Sequence, residues 1–137
     1  MLHMIKLAVG CPTIDALKER MKSPRFRGYG AITTRTMPKR ADEILDGGSL
    51  YRVLNGLILC RQPIVGLEPY ERQDGSTGTL ILVSDDIIPV QARAMRPFQG
   101  WRYLKAEDAP ADLGAISDGI AELPPRLHRI LSELALC

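Results

Sequence analysis

Long apolar runs, histidines and cysteines are all scarce in this chain of 137 residues. No stretch of about 18 uncharged apolar residues occurs, so the sequence predicts no transmembrane helix. The first nine residues also lack the basic, apolar and small-residue order of a signal peptide. We therefore expect one soluble domain over residues 1–137, located in the cytoplasm and without a membrane partner.

The few cysteines and histidines are too dispersed to indicate a disulfide framework or a zinc site. Cys11, Cys60 and Cys137 are odd in number, widely spaced and free of any C-x-x-C pair. His3 falls in a predicted buried strand and His128 on a predicted helix, so we interpret both as structural. Since a chain of this length buries roughly two-thirds of its surface on folding, it needs no such staple. We predict no metal and no cofactor.

Catalytic signatures are also missing from the sequence. It has no Walker-type loop and no dinucleotide fingerprint, which argues against a nucleotide-hydrolysing enzyme. The segment Asp74-Gly-Ser-Thr-Gly78 does not match a nucleophile elbow and predicts the tip of a strand connection. Asp85 and Asp86 would point to opposite sides of an extended chain, which favours a turn over a cation site. We predict no catalytic residue, and a small enzyme acting on an anionic substrate stays an alternative.

Basic and acidic residues are segregated along the chain, although the net charge is only +2. Residues 1–40 carry nine basic and two acidic side chains, and residues 91–105 carry four basic side chains and no acidic one. If these segments fold onto one face, their positive field favours an anionic partner. The alternative is that they pair with the acidic segments or serve solubility.

Hydrophobic patterning predicts helices near both ends of the chain and strands between them. A strand over residues 3–9 precedes a helix that Pro12 and Thr13 open and that Pro24 ends, because the residue before proline avoids the α conformation. The other predicted elements are a strand near residues 31–36, a short helix over 39–45, strands over 79–83 and 87–95, and an amphipathic terminal helix over 125–136.

The strongest β signal lies in residues 49–67. Asn55-Gly56 divides two apolar runs, and both residues tolerate the positive φ of a type I′ hairpin turn. Pro63 and Gly66 in the second run predict a bend or bulge. Consecutive strands favour antiparallel pairing, so we predict an α+β fold in which a small, bent, mainly antiparallel β-barrel-like sheet carries flanking helices.

Two basic segments, together with Arg61 of the hairpin, contain the residues that we predict to bind a nucleic acid or another anion. Cations bind phosphates, and aromatic rings stack on bases at roughly 1–3 kcal/mol each. One segment surrounds the start of the predicted short helix, where backbone N–H groups favour an anion. The other is the aromatic and basic run from Arg96 to Leu104. The predicted binding residues are Arg35, Lys39, Arg40, Arg61, Arg96, Trp101, Arg102 and Tyr103.

Two of these residues also have a structural interpretation as an alternative to binding. A single tryptophan is usually mostly buried, so Trp101 is either a core residue or a stacking platform. Arg61 interrupts a hydrophobic strand and either points into a polar cleft or pairs with a carboxylate such as Asp42, Glu43 or Glu68.

Four blocks of the sequence resemble a small bacterial family of unknown function, and together they extend the resemblance over essentially the whole chain. They are residues 1–10, residues 38–51, the hairpin from Asn55-Gly56 through Cys60-Arg-Gln62, and the run 96–104. The order of Thr34-Arg35, a short helix and a hairpin is also similar to the PUA-like superfamily, which includes the ASCH and EVE domains. That similarity implies a bent pseudo-barrel that binds RNA or modified nucleotides. Asp46-Gly47-Gly48-Ser49 departs from the compact glycine-aspartate entry of many relatives.

The sequence thus predicts a non-catalytic module that binds RNA or a nucleotide at a basic edge. The rival hypothesis is a protein-interaction or assembly module, in which the helix over residues 125–136 docks on a protein partner or a second copy of the chain.

Overall fold

The computed structural model describes residues 1–23 and 25–113. Within them lie eight strands, two α-helices and one 3₁₀ turn. The strands are β1 (Leu2–Leu7), β2 (Arg25–Phe26), β3 (Tyr29–Thr34), β4 (Ser49–Leu54), β5 (Leu57–Glu71), β6 (Thr77–Val83), β7 (Ile88–Ala94) and β8 (Trp101–Lys105). The helices are α1 (Ile14–Arg20) and α2 (Ala41–Leu45), and the 3₁₀ turn is Ala106–Asp108.

The strands form one mixed sheet in the order β2-β3-β6-β5-β4-β1-β8, with β7 paired to β5 beside this path. Only β1 and β4 run parallel; the other pairings of the described strands are antiparallel. The α+β class and the mainly antiparallel pairing are therefore confirmed. The sheet is bent but open, because β2 and β8 end the path instead of pairing with each other in the described part of the chain.

The bend lies within β5, where the sequence predicts it. The first half of this strand pairs with β4 as far as Pro63, and its second half pairs with β6 from Ile64 onwards. The register shifts between Ile64 and Gly66, which marks a bulge. Changing partners at this point turns one half of the sheet against the other, and a cleft opens between β1 and β3.

The predicted hairpin turn is confirmed at Asn55-Gly56. Both residues have positive φ, 50° and 80°, and Leu54 pairs directly with Leu57 across them. Two central residues with positive φ define the type I′ turn, whose twist matches that of the flanking strands.

Both described helices lie where the sequence predicts them. The Thr13 hydroxyl accepts a hydrogen bond from the Ala16 backbone N–H at 3.1 Å and so caps α1. Helix α2 is shorter than predicted, since Arg40 takes the N-cap position. The predicted terminal helix over residues 125–136 lies outside the described residues.

The hydrophobic core fills both faces of the sheet. On one face Leu2, Met4 and Leu50 join Ile44 of α2 and residues of β5 and β6. On the other face Ile5, Tyr51 and Val53 pack against Val90 of β7. This alternation along β1 and β4 follows from the two-residue period of a strand. Its consequence for β1 is that Lys6 shares the face of Leu2 and Met4.

Candidate functional site

A cleft of about 690 Å³ lies beyond the core, between β1, β3 and the C-terminal end of β5. We call it the outer cleft. Its cationic lining residues are Lys6, Arg35 and Arg72, its aromatic ones are Tyr70 and Trp101, and its remaining ones are Thr33, Thr34, Thr36, Gln99 and Gly100. The volume falls within the roughly 300–1,000 Å³ of small-molecule sites.

Lys6 and Trp101 form one wall of the outer cleft because they are register partners on neighbouring strands. Lys6 on β1 lies opposite Trp101 on β8. Lys6 follows Leu2 and Met4 on the core face and emerges where the core ends, so it is only half-buried. Burial, followed by the charge of Arg52, lowers the pKa of Lys6. No ion pair of Lys6 occurs among the described residues, which leaves its charge available to a ligand.

Trp101 combines core packing with a position on the wall of the outer cleft. Its half-buried ring packs against the core cluster of Leu2 and Met4 and also lines the outer cleft. Its indole Nε1–H donates to the Thr36 carbonyl at 2.8 Å. Trp101 therefore anchors the segment that carries Arg35 to the edge of the sheet.

Tyr103 extends this anchoring from the next position on the same face of β8. Its hydroxyl accepts a hydrogen bond from the Arg40 backbone N–H at 3.2 Å, and its ring meets that of Trp101 edge-on at 4.8 Å. The Arg40 guanidinium lies over the Tyr103 ring and pairs with Glu43. Arg40 is thus already compensated by a carboxylate, whereas Lys39 is exposed beside it.

The other predicted arginines lie away from the outer cleft. Arg102 points to the opposite face of β8 from Trp101, where its guanidinium covers the Phe98 ring at 4.6 Å. Arg96 is exposed in the loop before β8 and does not line the cleft. The structure therefore brings together Arg35 and Trp101 from the predicted set, with Arg40 and Tyr103 alongside.

Arg61 pairs with a carboxylate, the second of its two interpretations, but the partner is Asp112. Two guanidinium nitrogens contact the two Asp112 oxygens at 2.8 Å each, and a third bond of 2.8 Å reaches the Ser49 hydroxyl. The bidentate contact, with its hydrogen bonds, lowers the pKa of Asp112. This pair fixes the segment after β8 to β5 and leaves Arg61 committed to structure.

Sequence reasoning missed three of the cationic and aromatic lining residues of the outer cleft: Lys6, Tyr70 and Arg72. A signal for Lys6 was present, because a charged residue after Leu2 and Met4 at two-residue spacing lies on the core face of its strand. Tyr70 and Arg72 carried no such signal. They reach the cleft because β5 continues well past its bend, to Glu71.

The described part of the chain lacks a metal-binding cluster and a membrane-spanning helix. It contains no group of three or more His, Cys, Asp or Glu side chains able to hold a metal ion. None of its helices has the length and apolar character needed to cross a bilayer. Asp85 instead pairs with Arg25 at 2.6 Å, and the Asp74 carboxylate accepts hydrogen bonds from Ser76 within the turn between β5 and β6.

His3 is a structural histidine, as the sequence indicates. It is buried, and its Nδ1 accepts a hydrogen bond of 3.0 Å from the Ser49 backbone N–H. Burial first, then the Arg61 charge, lowers the pKa of His3 from 6.5. Its neutral form is thus built into the fold.

The pH dependence of stability follows from His3. The unfolded chain binds the His3 proton more tightly than the folded chain does. The contribution of neutral His3 to the free energy of unfolding is therefore complete above about pH 6.5, and it is lost as the pH drops toward the folded pKa. Protonation would also remove the acceptor of Ser49. We expect urea denaturation between pH 7 and 5 to show this decline in the wild type and a flatter profile in His3→Gln; superimposable profiles would contradict it.

The chain matches one protein-family model over nearly its whole length. The model of the family described as protein of unknown function (DUF1489) matches residues 4–137. The chain belongs to that family. The predicted membership of a family of unknown function is therefore confirmed. No curated protein and no solved structure matches the chain. Since the family description assigns no activity, function has to be argued from the outer cleft itself.

Proposed function

We propose that this protein is a non-catalytic module that binds RNA or a nucleotide in the outer cleft. The observation that carries the proposal is the composition of the lining: three cations, two aromatic rings and three threonines in one cavity of about 690 Å³. Cations bind phosphates, hydroxyls donate to phosphate and sugar oxygens, and aromatic rings stack on bases. The described lining contains no Asp or Glu that would repel such a ligand.

The lining also favours binding over catalysis. Its described residues include no His, Cys, Asp or Glu, which leaves Lys6 and Tyr70 as the only side chains of the lining able to act as a general acid or base. The titratable groups with perturbed pKa values on the other face, His3, Tyr51 and Asp112, are engaged with one another or with Arg61.

The same proposal includes three further points: the resemblance to PUA-like domains, the bacterial origin that the family resemblance implies, and the cytoplasmic location. What supports the first is the order of elements, in which the basic segment after β3 leads through α2 into the β4–β5 hairpin. The cytoplasm is where RNA and free nucleotides are available to a soluble module.

The test is a salt-dependent binding measurement with charge-reversal variants. We expect short fluorescent RNAs to bind at low salt and to lose affinity steeply as salt rises. Arg35→Glu and Arg72→Glu should each lower the affinity roughly tenfold near 50 mM salt and reduce the salt slope by about one, the signature of one lost phosphate contact. Fluorescence polarisation with single-stranded RNA, structured RNA and DNA measures both quantities.

A matched control is Arg93→Glu, an equal charge reversal at an exposed position on β7. It should leave the affinity within about twofold of the wild type. Arg96→Glu and Arg102→Glu test whether the binding surface extends around β8, as the sequence predicts. Unchanged affinity of the Arg35 and Arg72 variants, with circular dichroism showing intact folding, would overturn the proposal.

A further inference from the structure

A second, smaller cavity adjoins the outer cleft. It measures about 240 Å³ and shares Lys6 and Thr33 with the outer cleft. We call it the inner cavity. Its other polar lining residues are Arg20 and Arg52. Apolar residues of β1 and β3 complete it, together with Val9 and Met21, which follow β1 and α1. Three cations therefore surround a space about a third as large as the outer cleft.

Arg52 is the unusual residue of the inner cavity. Its side chain is almost fully buried on β4, at 4% exposure. It donates to the Gln62 side-chain oxygen at 3.0 Å and to the Leu7 carbonyl at 3.3 Å, whereas its Nε–H has no acceptor among the described residues. Both acceptors are neutral, and no carboxylate of the described chain forms an ion pair with it.

A buried arginine without an anion is costly, because burial removes the hydration of the charge and an unmet N–H adds roughly 1–3 kcal/mol. Burial lowers the pKa of Arg52 only to about 10, so the side chain stays cationic at neutral pH. Lys6 is its register partner on β1 and adds a second positive charge on the same face. The two cations repel each other unless an anion lies between them.

We propose that the inner cavity binds a phosphate monoester, either the terminal phosphate of an RNA chain or the phosphate of a mononucleotide. The inference rests on the proposed function and names the group that the ligand must carry. A phosphate monoester has a charge of about −1.5 to −2 at neutral pH and matches Arg52 and Lys6 together, whereas an internal phosphodiester carries a single charge. Its oxygens also offer charged acceptors, which neither the Gln62 side chain nor the Leu7 carbonyl supplies to Arg52.

The arrangement of the two cavities fits a ligand that enters by its end. The shared residues, Lys6 and Thr33, lie where the inner cavity meets the outer cleft. A nucleotide with its phosphate at Arg52 would extend its sugar past Thr33 toward the aromatic rings of Tyr70 and Trp101. Lys6 would contact the phosphate from the boundary.

The experiment compares ligands that differ only in the terminal phosphate. Affinities are measured for one short RNA with a 5′-phosphate or a 5′-hydroxyl, and for adenosine 5′-monophosphate against adenosine. We expect the phosphorylated member of at least one pair to bind tenfold or more tightly. A preference confined to RNA identifies a chain end as the source, and one shared by the mononucleotide identifies the monoester itself.

Variants then locate the preference. Lys6→Gln, at a half-buried position, should reduce the phosphate preference to threefold or less, and Arg52→Met should abolish it. Lys105→Gln is the matched control, because Lys105 is exposed on β8 and lines neither cavity. If Arg52→Met does not fold, Lys6→Gln alone decides the result.

The outcomes distinguish failure of the monoester site from failure of the proposed function. Equal affinity for the 5′-phosphate and 5′-hydroxyl RNAs, with no preference for the mononucleotide over adenosine, would overturn the monoester site and leave RNA binding in the outer cleft standing. A preference that persists in Lys6→Gln would also overturn it. Failure of every ligand to bind at low salt would overturn both proposals.

Discussion

Gly48→Ala should destabilise the protein by at least about 3 kcal/mol, since the new methyl group has no room. A Cβ atom at Gly48 would lie under 3.0 Å from the backbone oxygens of Leu2 and Ile44, closer than real Cβ atoms come. Those oxygens belong to β1 and to the end of α2, so relief requires moving two elements of the core. Against a typical total of 5–15 kcal/mol, this loss should lower Tm by about 10 °C.

Gly75→Ala is the control that isolates this steric effect. Gly75 has a φ of +85° in the turn between β5 and β6, and a Cβ there would meet nothing within 4 Å. Its substitution should cost only the conformational penalty of about 1–2 kcal/mol. Thermal and urea denaturation of both variants measures the difference; equal losses in the two would show that β1 and α2 do not approach as closely as described.

The contrast between Gly47 and Gly48 shows how far the sequence specifies the fold. The pair Gly47-Gly48 predicts the end of a helix, and Gly47 does end α2 with a positive φ of 86°. The reason for the second glycine is partly tertiary, because a Cβ there would meet Leu2 of β1 as well as Ile44 at the end of α2. Local chemistry similarly predicts the Asn55-Gly56 turn and the bulge before Gly66, while the parallel pairing of β1 with β4 joins residues far apart in sequence.

The same limit explains what was missed in the 96–104 run. Its aromatic and basic content predicts a binding surface, but the strand β8 is not among the elements predicted from the sequence. Once β8 pairs with β1, strand alternation separates Trp101 and Tyr103 from Arg102. Composition therefore identifies the segment, and only pairing decides which of its side chains reach the outer cleft. The same holds for Arg52, because nothing in its local sequence shows that its hydrogen-bond partners would be neutral groups.

Trp101→Ala should have the second large effect, on stability and on binding together. Removing the half-buried indole takes apolar area from the core of Leu2 and Met4 and leaves the Thr36 carbonyl without its donor, a loss of roughly 2–4 kcal/mol. RNA affinity should fall at least tenfold, since one stacked base contributes roughly 1–3 kcal/mol. Chemical denaturation and fluorescence polarisation measure the two losses separately.

Trp101→Phe decides which part of Trp101 the ligand uses. Phenylalanine keeps an aromatic ring against the core but cannot donate to Thr36, so about 1 kcal/mol of stability should be lost. If stacking dominates, the variant keeps most of the affinity that Trp101→Ala loses. If anchoring of Arg35 dominates, Trp101→Phe binds as weakly as Arg35→Glu. In that case Tyr103→Phe, which removes the acceptor of the Arg40 backbone N–H, also weakens binding. Full affinity in Trp101→Ala would show that the outer cleft is not the binding surface, because no ligand occupying it could avoid this wall.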